Sequence, residues 1–282
     1  MRALLELVRA PAALSVPGDT MAGAAVAGRP ARPGLAVASV LLYWAGMALN
    51  DWSDREIDAV ERPERPVPSG RITPEGALGI AVGLTGAGLA TAAICGGRRA
   101  FALAGLLAGA VWAYDLRLKH TKAGPAAMAA CRTIDVLLGA GPDTRAAAPM
   151  ALAVGAHTYG ITVLGRAEVE GATPSTVRAA LTATGAAAVL AASAICPRGE
   201  PVGRLAAGAL IAAFLATSAR AQAALRIDPD PERVRQAVRM SILGLIPLQA
   251  AAVAGRGRLA EAATLLAALP IGRWLSAKVA TS

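Results

Sequence analysis

Apolar runs as long as a membrane-crossing helix follow one another through nearly all of the 282 residues, with only short connections between them. A spanning helix needs about 20 mostly apolar residues. Such runs cover 12–28, 34–51, 75–95, 99–115, 124–141, 147–165, 175–195, 203–224 and 234–254. A tenth, over 258–278, is interrupted by Glu261, Pro270 and Arg273. Charged residues make up 17% of the chain, against about 25% in soluble domains. That is too few to cover a water-facing surface. The 55% apolar content equally excludes a disordered chain. What remains is an all-α, polytopic membrane bundle of nine or ten transmembrane helices, forming a single domain over 1–282. Mean hydropathy is only +0.50 because Ala and Gly supply much of the apolar count.

The formal charge is +9. In a soluble protein that balance would suggest nucleic acid. In a membrane protein it reports basic loops on one face, and no nucleic-acid partner is expected. With the N-terminus inside, sixteen Lys and Arg side chains fall on the cytosolic side and nine on the other. The bias places the chain in the cytoplasmic membrane with those loops facing the cytosol. Arg2 and Arg9 precede an apolar stretch that Pro11 and Pro17 interrupt, which reads as a short cytosolic lead and not a cleaved signal. Three cysteines, Cys95, Cys131 and Cys196, lie within or at the end of apolar runs with no CxxC spacing, so neither a disulfide framework nor a zinc site is expected. His120 and His157 are too few and too scattered to form a metal cluster.

Acidic residues concentrate after the second, fourth and sixth runs, on the face that receives most of the arginines. Asn50-Asp51-Trp52-Ser53-Asp54-Arg55-Glu56-Ile57-Asp58 is the strongest constellation. Asn50, Asp54 and Asp58 recur every four residues, and Asp51 precedes Asp54 by three, so a continuing helix would put them on one face. Carboxylates so placed repel unless a cation neutralises them. An oxygen-only set suits Mg²⁺, which keeps waters and bridges to phosphate. A solvated acidic helix end accounts for Glu56 and Glu61, but not for aspartates that begin at the buried end of a span. Arg65 and Arg71 follow in a proline-stiffened loop and match phosphate with bidentate geometry. Arg62, four residues after Asp58, is positioned to pair with it.

After the fourth run, Tyr114-Asp115-Leu116-Arg117-Leu118-Lys119 ends a helix with a carboxylate and cations, and Lys119 reaches for a diphosphate. Arg117 and Lys122 read as snorkelling side chains. After the sixth run, Arg166, Glu168 and Glu170 offer a second cation site with a phosphate-binding arginine, provided that the backbone there is not helical. Arg233, Arg235 and Arg239 read as a headgroup anchor. Arg132 and Asp135 lie inside the fifth run, where ionisable groups are costly. Mutual pairing and a role in a cavity both account for them. Trp44, Trp52, Trp112, Tyr114 and Tyr159 lie close to the motif carboxylates. They are either an interfacial belt or ring faces that shield a cation.

Asn50 through Thr73, NDWSDREIDAVERPERPVPSGRIT, resembles the first aspartate-rich signature of the UbiA superfamily of intramembrane prenyltransferases. Tyr114 through Lys119, YDLRLK, resembles that family's second loop motif. Where those enzymes usually carry further aspartates, this chain has Thr158 and Gly165 and keeps Glu168 and Glu170. That Arg-x-Glu-Val-x-Gly pattern resembles the EboC-like branch. The resemblance implies nine helices around a central cavity with the motif loops on one side. It also implies Mg²⁺ as cofactor, an isoprenyl diphosphate as donor and an acceptor that the sequence does not identify. Asn50, Asp51, Asp54, Asp58, Glu168 and Glu170 would hold the metal. Lys119, Arg65, Arg71 and Arg166 would take the diphosphate charge, with Tyr114, Asp115 and Tyr159 lining the substrate. A terpene cyclase and a non-catalytic isoprenoid-diphosphate binder or transporter are the competing expectations.

Overall fold

The computed structural model describes residues 2–9, 13, 15–195 and 200–280, without the side chains of 2 and 271–280. Cys196 and Arg198 lie outside the described residues. All regular elements among them are helical. Two short helices, α1 (Arg2–Leu7) and α2 (Pro17–Val26), precede α3 (Pro33–Ser53) and the one-sided extension α4 (Arg55–Glu61). A long element α5 (Pro74–Ala113) leads through a π-helical turn, Tyr114–Leu118, into α6 (Gly124–Ala140). Then come α7 (Thr144–Gly165), α8 (Pro174–Ile195), α9 (Pro201–Ala224), α10 (Pro231–Ala254) and α11 (Leu259–Ala280). Most long helices open on a proline. Its fixed φ suits the first helical position, where no N–H is needed.

Six helices among the described residues are long and apolar enough to cross a membrane: α3, α5 with its π turn, and α7 to α10. Two of the ten runs fall short by length, 124–141 giving the 17-residue α6 and the last being apolar only over Leu259–Pro270; the other differences have structural causes. The first run, 12–28, is helical in regular form only over ten residues, because Pro17 starts α2 and Gly28 at φ 72° ends it. At about 15 Å long, α2 is an interior helix held by α3, α6, α7 and α10. The runs 75–95 and 99–115 merge into α5, but Gly97 at φ 72°, ψ −166° divides it into two limbs. Trp112 Nε1 donates to Thr85 Oγ1 at 3.2 Å, whereas a straight helix would hold those residues about 40 Å apart. The limbs therefore fold back on each other at Gly97.

Nothing surrounds Gly97 closely enough to meet an added Cβ, so a side chain there is opposed by the backbone alone. Gly97→Ala should lower stability by roughly 1–3 kcal/mol, read as an earlier unfolding midpoint of the detergent-solubilised protein. An unchanged midpoint would mean that the turn relaxes to an ordinary conformation.

Burial separates interior from lipid-facing helices. The most apolar window of α10 is 78% buried, that of the α5 element 17%. A polar chain crosses the interior: His157 Nε2 donates to the Ser241 carbonyl at 2.9 Å, and its Nδ1 lies 3.1 Å from Thr184 Oγ1. Gln222 extends it from Thr184 to the Ser241 hydroxyl. These bonds tie α7, α8, α9 and α10 together. Where α2 crosses α6, a Cβ on Gly23 would lie 1.9 Å from the Val136 carbonyl, and one on Gly139 1.9 Å from that of Thr20. Small residues let the backbones touch there.

The connections form two ends of different chemistry. At one, Arg29 pairs with Asp143 at 2.9 Å and Arg258 caps the Arg29 carbonyl at 2.7 Å. At the other, α1, the 54–73 segment, the π turn, and the loops after α7 and α9 come together. All the motif residues lie at that end or on the helix ends leading into it.

Candidate active site

Asn50 and Asp51 occupy the last turn of α3, and Asp54 is its C-cap at φ −94°, ψ 4°. The backbone bonds Asp54 N to Asn50 O (3.0 Å) and Asp58 N to Asp54 O (2.8 Å) carry the four-residue spacing across the break. The side chains nevertheless divide into two groups, because the break at Asp54 rotates α4 relative to α3. Asp51 and Asp58 converge on one nitrogen, Arg65 Nη1, at 3.6 and 2.5 Å. Asp54 instead meets Lys119 Nζ at 2.7 Å and His120 Nε2 at 3.3 Å. The expected Arg62–Asp58 pair does not form: α4 ends at Glu61 and Arg62 leaves helical geometry at φ −147°, ψ 60°. Arg65 takes its place.

The π turn supplies the opposite wall. Its bond from Lys119 N to Tyr114 O (2.9 Å) spans five residues, which widens the turn, as π insertions at functional sites commonly do. Asp115 is thereby buried against Asn50, whose Nδ2 donates to Asp115 Oδ1 at 3.1 Å. Lys119 donates to Ser53 Oγ at 2.6 Å as well as meeting Asp54.

Arg9 is the residue that sequence reasoning missed. In the left-handed region at φ 46°, it follows α1 and donates to Asn50 Oδ1 at 3.3 Å and Asp51 Oδ1 at 3.1 Å. Nothing local marks it, since 42 residues separate it from Asp51. Three cations, Arg9, Arg65 and Lys119, thus face the four carboxylates Asp51, Asp54, Asp58 and Asp115.

Beneath this mouth lies a cavity of about 180 Å³. Arg9, Asn50, Tyr114 and Asp115 line its polar end; Leu42, Met47, Leu107, Val111 and Met128 form an apolar middle. Ser39, Arg132 and Asp135 line its far end. Gly46 keeps the passage open, since a Cβ there would come within 2.8 Å of Val111 and 3.7 Å of Asp115 Oδ2. Of the five aromatics expected near the motifs, Tyr114 lines the cavity, joined by Tyr43. Trp52 and Trp112 pack against a core of Ala48, Leu49 and Ala77 instead. Tyr159 is 40% exposed and lies outside the cavity lining, because its neighbours His157, Thr158 and Gly160 take the inward face of α7.

The remaining expected residues hold loops. Arg71 pairs with Glu6 of α1 and donates to the Glu64 carbonyl at 2.5 Å. Arg166 donates to the Lys119 carbonyl at 2.6 Å and to that of Thr121. Glu168 is half-buried, which raises its carboxyl above the ordinary range against the opposing cations Arg62, Arg235 and Arg239. Glu170 is exposed. Among the described residues no three His, Cys, Asp or Glu side chains gather in a way that would hold a metal by themselves. A cation taking one or two carboxylates plus phosphate oxygens is a different requirement. Asp51 and Asp58 meet it, since both already address a single positively charged nitrogen.

The profile of the UbiA prenyltransferase family matches residues 20–243. Digeranylgeranylglyceryl phosphate synthase of Methanopyrus kandleri is 40% identical over 127 residues, 43% of this chain and 45% of the relative. Its counterpart from Natronomonas pharaonis is 44% identical over 88 residues, 30% of this chain and 32% of the relative. The bacteriochlorophyll synthase 33 kDa chain of Cereibacter sphaeroides is 39% identical over 106 residues, 35% of this chain and 33% of the relative. The chain thus spans between about a third and just under half of the length of these curated relatives. The apo structure of a UbiA homologue from Aeropyrum pernix K1 superposes with a TM-score of 0.71 at 18% identity, covering 85% of this chain and 96% of that one. A structure concerned with digeranylgeranylglyceryl phosphate synthase in membranes gives 0.61 at 19%, covering 90% and 97%. At these identities the structural likenesses speak for the fold, while the profile spans most of the sequence: the chain belongs to the UbiA prenyltransferase family.

Proposed function

We propose that the chain is an integral membrane enzyme that transfers an isoprenyl group from an isoprenyl diphosphate to an acceptor and releases diphosphate. One observation carries this reading: a largely apolar cavity opens at a mouth where carboxylates and cations alternate within ion-pair distance. Asp51 and Asp58, with Asn50 and Asp54 beside them, would hold Mg²⁺ on the diphosphate. Bound there, the metal would supply Lewis-acid stabilisation of the leaving oxygens. Lys119, Arg9 and Arg65 then take up the negative charge that develops as the carbon–oxygen bond breaks, which is the main catalytic contribution expected of such a site. Leu42, Leu107 and Val111 would keep water from the allylic cation, and the Tyr43 and Tyr114 rings, which also line the cavity, would present a face to it. Arg71 and Arg166 position the two motif segments from behind. Glu168 and Glu170, on the neighbouring loop, are the place for a second cation. The arginine bias puts the mouth on the cytosolic side of the cytoplasmic membrane.

The test is direct. Purified protein with Mg²⁺ and farnesyl or geranylgeranyl diphosphate should release diphosphate only when an acceptor from a membrane lipid extract is added. Release with a new hydrocarbon and no acceptor would make the chain a cyclase. Tight binding without release would make it a carrier.

A further inference from the structure

The cavity has a second polar end that the reaction described above leaves unused. Ser39 lies eleven residues before Asn50 on α3, about 16 Å along the helix axis from the mouth. With Asp135 and Arg132 of α6 it closes the cavity at depth. Asp135 is 4% exposed; Ser39 Oγ donates to its Oδ2 at 2.6 Å, and no donor reaches its Oδ1. Arg132 does not supply one. It is committed to Asp19 of α2, with Nε 2.9 Å from Oδ2 and Nη2 3.2 Å from Oδ1. Gln249 Nε2 also donates to Asp19, at 2.6 Å. Two buried carboxylates thus face one guanidinium. Each carboxylate has one oxygen that no hydrogen-bond donor reaches, Asp19 Oδ2 and Asp135 Oδ1, and of the two residues Asp135 is the one that lines the cavity.

A buried acceptor without a donor is costly, the more so at membrane depth. Asp19 Oδ2 and Asp135 Oδ1 are both without a donor, so a proton held between the two carboxyls is one way to balance the cluster. That solution leaves the cavity floor with nothing to offer a ligand. A donor group on a bound molecule is the other, and the position of Asp135 on the lining favours it.

We propose that this floor is a recognition subsite for the far end of the acceptor. The group recognised is a hydrogen-bond donor, hydroxyl or ammonium, carried on an apolar chain and received by Asp135 Oδ1. The proposal rests on the prenyl-transfer reading for placing the acceptor's nucleophile at the mouth, and it defines the acceptor class as an elongated molecule, polar at both ends.

Four probes that share a ten-carbon chain and one terminal carboxylate test it by calorimetric titration into the purified, detergent-solubilised full chain. They are decanoate, hydroxydecanoate, aminodecanoate and decanedioate, whose shared carboxylate the cations of the mouth seat. Hydroxydecanoate and aminodecanoate should bind roughly tenfold or more tighter than decanoate, and decanedioate should bind weakest. Asp135→Leu should erase the preference. Asp135→Asn, which keeps the shape and removes the charge, should erase the advantage of aminodecanoate. Binding of geranylgeranyl diphosphate with Mg²⁺ should be unchanged in both. Equal affinities across the four probes, or a preference that survives in either variant as stated, overturn the subsite. Failure of the unaltered chain to bind geranylgeranyl diphosphate would overturn the donor assignment instead, and the end-group preference is read independently of it.

Discussion

Asp54→Ala should lower diphosphate release by roughly a hundredfold to a thousandfold while leaving membrane insertion intact. Asp54 sits at the break between α3 and α4 with no capping bond from its side chain, so the course of the backbone there does not depend on it. The chemistry does. The carboxylate is 2.7 Å from Lys119 Nζ, and Lys119, 7% exposed, has only Ser53 as a further partner on that side. Removing Asp54 therefore takes away an oxygen donor beside the diphosphate position and the group that aims the lysine. Asp54→Asn separates these roles. If the aspartate acts only by holding Lys119 through a hydrogen bond, the amide should retain most activity. If it helps to hold a divalent cation, the amide should be nearly as damaging as alanine. Asp143→Asn, which removes a carboxylate from the opposite end of the bundle, should change neither rate nor stability. Full activity of Asp54→Ala would sink the assignment of this mouth as the site of bond breaking.

Local signals located most of the mouth and little of what lies behind it. The aspartate spacing after the second apolar run and the YDLRLK segment are written in a few consecutive residues, and the backbone bonds of those turns preserve that register. The long runs of α3 and α7 to α10 were legible for the same reason. Pairings across the fold were not. Arg132 and Asp135, three apart on one helix, look like partners, yet Ser39 occupies one and Asp19, 113 residues from Arg132, occupies the other. Arg62 and Asp58 have ideal helical spacing, but the helix stops between them and Arg65 wins. Arg9 reaches the site only because the chain after α1 turns through a left-handed residue. Helical periodicity predicts neighbours only while the helix lasts, and it contains nothing about which helices will touch.

The buried charges allow a sharper test of that packing. Arg132→Met should destabilise the protein by roughly 3–5 kcal/mol, the usual cost of leaving a buried charge without its partner. Two carboxylates, Asp19 and Asp135, would then face each other with only Gln249 and Ser39 as donors. Asp19→Asn should cost much less, about 1 kcal/mol. The asymmetry follows from geometry: with Asp19 neutral, Arg132 still has Asp135 within electrostatic reach, and the amide can still accept from the guanidinium. Changing both, Asp19→Leu with Arg132→Met, should recover most of the loss, because an apolar pair of similar volume often replaces a buried ion pair without penalty. Unfolding in mixed micelles with a graded denaturing detergent measures all three. Equal losses for Arg132→Met and Asp19→Asn would show that the guanidinium serves Asp19 alone. The charge balance at the cavity floor would then have to come from a proton and not from a ligand.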